Sequence, residues 1–152
     1  MRLGRSWTTF ILFAAAAVQV QAYSPDETPS DDQSIATLEA RVEQAPPRDQ
    51  CFLYAQLIHK MTEFSLRQYA AGDIQKADAM LVRVEKVAQK MHLSLTDNDK
   101  RLKNAAILLR HTAFRLNEML HASNYEDRLL VAQALAQVNQ ASDAAMMDVF
   151  KK

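Results

Sequence analysis

From Arg48 to Lys152 the chain contains no proline and a single glycine, Gly72, and this lack of breakers narrows what it can fold into. Proline removes a helical hydrogen bond, and glycine costs a helix about 1 kcal/mol relative to alanine. A long stretch almost free of both, and rich in Ala, Leu, Gln, Lys and Met, favours continuous helices over hairpins, which need turn residues and β-branched density. The expected class is all-α.

Apolar periodicity divides the stretch. Tyr54, Leu57, Met61, Phe64 and Ala71 share one stripe, with Cys51, Ala55, Ile58 and Tyr69 beside it, predicting a helix over about 49–71. Gly72 suits the left-handed position after a helix end and Asp73 can cap the next helix at once, so the link is short and the neighbours antiparallel. Ile74, Ala77, Leu81, Val84, Ala88 and Met91 alternate at three and four, giving a helix over 74–92 with a coiled-coil-like seam. Leu102, Ala106, Leu109, Ala113, Leu116 and Leu120 repeat that spacing in a helix expected over 97–121, opened by Thr96 with Asp99. Ser123 with Glu126 reads as a capping box for a last helix over 124–150, along Leu130, Val131, Leu135, Val138, Ala145 and Val149. Four long helices with short links predict an antiparallel up-down-up-down four-helix bundle over 48–152. A pair of stacked helical hairpins of the tetratricopeptide kind is the rival, disfavoured by helix length and the absence of a repeat near 34 residues.

The segment before the bundle differs in composition. Arg2 and Arg5, the apolar middle from Trp7 to Val20 and the small residues around Val20-Gln21-Ala22 predict that residues 1–22 are a cleavable secretory signal. Its unbroken apolar run, Phe10 to Val18, is short of the roughly 20 residues that span a bilayer, so no transmembrane segment is expected after cleavage. Residues 23–47 form an acidic arm with all four prolines, within which Ser30 and Gln33 can cap a short helix over 31–45 carrying Ile35, Leu38 and Val42. Asp26, Glu27, Asp31, Asp32, Glu39 and Glu43 stand there against Arg41 alone. The expectation is that this arm folds across a basic pole of the bundle.

That pole follows from alternating helix directions, which bring together Lys86, Lys90, Lys100, Arg101, Lys103, Lys151 and Lys152, with Arg48 nearby. It could meet an anionic surface. Overall the 18 basic residues balance 18 acidic ones, which gives no reason to expect nucleic acid. Cys51 is the sole cysteine, so no internal disulfide exists; the residue is either buried or paired between chains, and its flank of Phe52, Leu53 and Tyr54 favours burial.

Catalytic signatures are absent from the sequence: there is no Gly-x-Ser-x-Gly, no glycine-rich phosphate loop and no His-Glu-x-x-His, so no enzyme activity and no cofactor is expected. Candidate metal ligands are weak. Glu118 and His121 make one half of a di-iron bundle motif whose second half is missing, and their spacing places them off the Leu116–Leu120 seam. His59 and Glu63, one turn apart, fit a hydrogen-bonded surface pair better than a zinc site. The remaining feature is Ile107 and Phe114, large apolar residues two turns apart and off the seam of the fourth helix. The sequence therefore points to an exported, non-enzymatic interaction or scaffold protein that meets a protein partner or a second copy. A metal- or haem-binding bundle using His59, His92, His111 or His121 is the alternative, and a chaperone-like clamp a third.

Overall fold

A computed structural model describes residues 30–95 and 100–151, and every regular element among them is an α-helix. Helix α1 covers Asp31–Gln44, α2 Pro47–Ala70, α3 Ile74–Ser94, α4 Leu102–Ala122 and α5 Arg128–Phe150. The expected signal, residues 23–29 of the acidic arm, the Thr96 and Asp99 cap and Lys152 lie outside the described residues.

Local chemistry explains most of the boundaries. Ser30 accepts a hydrogen bond from the Gln33 amide and opens α1. Pro47 does not merely stop α1; it sits in the first turn of α2, where its fixed φ suits a helix start and its missing N–H is no loss. Gly72 has φ of +82°, the left-handed conformation that ends α2, and Asp73 caps α3 by accepting from the Lys76 amide.

Two starts differ from expectation. Helix α4 begins at Leu102 rather than near 97, with Arg101 before it at φ of +59°. The anticipated capping box at Ser123 and Glu126 does not form, because the Ser123 hydroxyl donates backwards to the Met119 carbonyl at 2.6 Å and closes α4 instead. A serine can serve either the end of one helix or the start of the next, and here the carbonyl competes more effectively. Helix α5 then starts at Arg128.

The expected seams are buried in large part, but Ala71 is exposed and Leu130, Leu135 and Val149 are only half-buried, because α5 turns Val131, Ala134, Val138, Ala141 and Ala145 inward. Leu81, Val84, Ala88 and Met91 of α3, Tyr54, Leu57, Ile58 and Met61 of α2, and Leu102, Ala106, Leu109 and Leu116 of α4 form one core, and Ala77 is buried as well. Ala134, Ala141 and Ala145 are fully buried on α5, and such small side chains let it approach its neighbours closely. Cys51 is buried at 3% exposure. Full burial of each large aliphatic side chain contributes roughly 1.5–3 kcal/mol, so these seams dominate the favourable side of folding.

Neighbour relations depart from a ring taken in chain order. Helix α2 packs on α3 and α4, and α5 packs on α3 and α4, while α3 and α4 make no close backbone approach. Residue pairs give the directions: His59 meets Thr112, Glu63 meets Arg115 and Tyr69 meets Asn124, so α2 and α4 run parallel. Ser142 reaches back to Ala106, so α5 opposes α4. The α2/α3 and α4/α5 hairpins therefore lie side by side with like-directed helices in contact. The cause lies at the return of the chain. Lys100 donates its amide to the Arg48 carbonyl at 2.8 Å, which pins the start of α4 beside the start of α2 rather than beside the end of α3.

Helix α1 brings its backbone close to α2 and antiparallel to it, burying Ile35 and Val42, and reaches α3 through its side chains. Gln50 secures the turn by donating to the Val42 and Ala45 carbonyls at 3.1 and 3.0 Å. The described part of the acidic arm thus runs along the side of the hairpin rather than across its basic pole. Its carboxylates find cations on that side: Asp31 pairs with Lys60 and Arg67, and Glu39 with Arg83. Apolar spacing fixed this placement, because Ile35, Leu38 and Val42 need the flank of α2, and the charges followed.

Candidate functional site

The parallel seam between α2 and α4 carries polar as well as apolar contacts. Thr112 is fully buried and donates its hydroxyl to the Leu108 carbonyl one turn back, at 2.9 Å. Its oxygen is then left to accept from His59 Nδ1, 3.0 Å away. The His59 ring is half-buried and lies against the ring of His111, with centroids 5.5 Å apart and planes tilted by 57°. Burial lowers the pKa of His59 below its ordinary value, Glu63 opposes that shift, and His111, Arg115 and Lys60 add to it.

One turn further along, Arg115 bridges two helices' acids. Its Nε donates to Glu63 at 3.1 Å and its Nη1 to Glu118 at 2.7 Å. Partial burial alone would raise the Glu63 pKa, but Arg115 outweighs it and holds the carboxyl below its usual value. Glu63 and His59 do not form the i,i+4 surface pair anticipated from sequence, since each finds its partner across the seam on α4. Glu118 is likewise committed to Arg115, and exposed His121 stands apart from it. Among the described residues, no group of three or more His, Cys, Asp or Glu side chains is placed to hold a metal ion. Met91 lies in the core while the neighbouring His92 lines a shallow cleft between α3 and α5 with Asn139, Gln140, Asp143 and Met147, so the adjacent pair diverges.

The basic residues gather less tightly than the sequence suggested. Lys100 pairs with Asp49 at 3.2 Å, Lys151 pairs with Asp148 at 2.8 Å, and the Arg101 guanidinium stacks 3.6 Å from the Phe52 ring centroid. Lys90 reaches over Tyr54 at 5.9 Å, and Lys86 and Lys103 are exposed on the outer faces of α3 and α4. Internal acids and aromatic rings thus absorb part of the pole's charge.

Ile107 and Phe114 project from the outward face of α4, 55% and 60% exposed, opposite the side that buries Leu102, Leu109 and Leu116. Leu129 and Met147 are similarly exposed on α5, at 68% and 66%. A helix whose inner seam is already complete gains nothing within the chain from these outer side chains. No helix among the described residues is long and apolar enough to cross a membrane. Comparison with protein families, with characterised proteins and with solved structures finds no match.

The His59–His111 contact and the Arg115 bridge were beyond sequence reasoning. His111 and Arg115 are unremarkable on a solvent-facing stretch, and only the parallel register of α2 against α4 brings them to His59 and Glu63. A sequence signal existed only in the spacing: His59/Glu63 and His111/Arg115 are each one turn apart, matching ladders on two helices.

Proposed function

We propose that this protein is an exported, non-enzymatic interaction or scaffold protein of the cell envelope, which uses the outer face of α4 to contact a protein partner or a second copy of itself. The export part rests on the charged, apolar and small-residue order of residues 1–22. The bundle reading, four long helices with α1 laid along α2, supplies a rigid support for that face. The observation that carries the proposal is the exposed pair Ile107 and Phe114, held two turns apart on a helix anchored by a full inner seam. Aromatic and aliphatic side chains presented in this way are the residues that partner surfaces bury as anchors.

The test is cross-linking and affinity capture from the native host with the parent protein and a Phe114→Ser/Ile107→Ser variant, alongside sedimentation over a wide concentration range. Both changes lie on the surface, so stability should move by no more than about 0.5 kcal/mol. Capture, or concentration-dependent association, should fall at least tenfold. Equal recovery with parent and variant, with both chains monomeric throughout, would refute the assignment of this face.

A further inference from the structure

The α2–α4 seam supports a second role, independent of the outer face of α4. Since the Thr112 hydroxyl gives its only proton to the Leu108 carbonyl, the contact with His59 requires the proton on His59 Nδ1. The neutral ring then carries a bare lone pair on Nε2, and that atom makes no hydrogen bond among the described residues. This is how metal-binding histidines are prepared: one nitrogen is tied to a backbone or side-chain acceptor, which fixes the tautomer and aims the other.

The distance to His111 fits a shared ion. With a metal about 2.1 Å from each ring nitrogen, each ring centre lies about 3.2 Å from the metal, so two imidazoles stand roughly 5.2 Å apart at a tetrahedral angle and 6.4 Å apart when opposed. The observed separation is 5.5 Å. His111 is exposed and makes no hydrogen bond among the described residues, so its ring is free to turn toward the ion. Glu63 favours a cation beside His59, whereas Arg115 and Lys60 oppose one, each partly offset by its own ion pairs, Arg115 with Glu63 and Glu118 and Lys60 with Asp31.

We propose that His59 and His111 together bind one divalent ion of the nickel, copper and zinc series across the α2–α4 seam, with Thr112 as the positioning residue for the His59 ring. Imidazole donors favour these metals over magnesium or calcium. Two protein ligands leave the remaining coordination positions to water or to a small donor from solution.

Titration of tag-free protein with Zn²⁺ alone, read by calorimetry and by long-range ¹H–¹⁵N spectra of the imidazole rings, tests the site. One ion per chain should bind, shifting the His59 and His111 ring nitrogens and leaving His92 and His121 in place. His111→Ala, an exposed change that spares the core, should weaken binding at least tenfold, and His121→Ala on the same helix should not alter it. Thr112→Val should weaken binding about tenfold with His111 intact, because a lost supporting hydrogen bond to a ligand costs 10–100-fold. If that buried variant unfolds, the His111→Ala comparison alone decides. Binding unchanged in His111→Ala, or equal shifts in all four histidines, would overturn the proposal.

Discussion

Replacing Ile35 with alanine separates the two forces that hold α1 against the hairpin. Ile35 is 1% exposed, and the change deletes three carbon groups from that contact. At about 0.8 kcal/mol for each buried methylene-sized group, the transfer loss is roughly 2.4 kcal/mol. A cavity adds to this in a rigid core, but α1 lies at the side of the hairpin, its backbone close to α2 and its Glu39 reaching Arg83 of α3, and can settle into the space, so the total should stay near the lower end of the usual 2–5 kcal/mol range, at about 2–3 kcal/mol. The ion pairs of Asp31 with Lys60 and Arg67, and of Glu39 with Arg83, have partners from one third to one half exposed. Partial burial raises the Asp31 pKa and its cations more than offset that, yet exposed pairs contribute only about 0–1 kcal/mol each. Asp31→Asn/Glu39→Gln should therefore cost less than Ile35→Ala, and its effect should vanish in high salt. Urea unfolding gives the stabilities, and amide exchange over Asp31–Gln44 shows whether α1 frays first. A charge variant that destabilises more than Ile35→Ala, or an Ile35→Ala loss abolished by salt, would refute the view that apolar burial holds this helix.

Gly72→Ala should lower stability by about 1 kcal/mol, measured by urea unfolding, since φ is +82° while nothing lies within 4 Å of an added Cβ. Gly72→Asn should cost less, because asparagine tolerates that conformation, and equal losses would show that backbone preference is not the cause. Burial raises the pKa of Asp78, its neighbour Asp127 adds to the shift, and its Oδ1 has no hydrogen-bond partner among the described residues. Its folded pKa lies above the unfolded value of 3.8, so the native state binds the proton more readily and this group lowers stability as pH rises through the folded pKa. Asp78→Asn should thus be more stable than the parent at pH 7, by less than about 1 kcal/mol, with the gap closing as pH falls toward 3.8 in thermal melts. A gap that widens with acid would reverse the assignment.

Legibility in the sequence tracked the range of the interaction. Gly72 and Asp73 declare their turn because φ preference and capping are properties of adjacent residues. The α3 seam from Ala77 to Met91 was readable because 3.6-residue periodicity survives any choice of neighbour. Ser123 was misread because two backbone groups compete for one hydroxyl, and the choice depends on where α5 docks. His59 and Glu63 were read as partners of each other because intrahelical spacing is visible in a sequence and interhelical register is not.

The sequence alone determined that the described chain is helical, most of where its inner faces lie and that Ile107 and Phe114 stay outside, since breakers, caps and periodicity act over a few residues. Tertiary structure decided which helix lies beside which. Periodicity marks each seam but not the seam that it meets. The short return through Lys100, anchored to the Arg48 carbonyl, sets α4 parallel to α2, and that register brings His59 to His111 and Glu63 to Arg115.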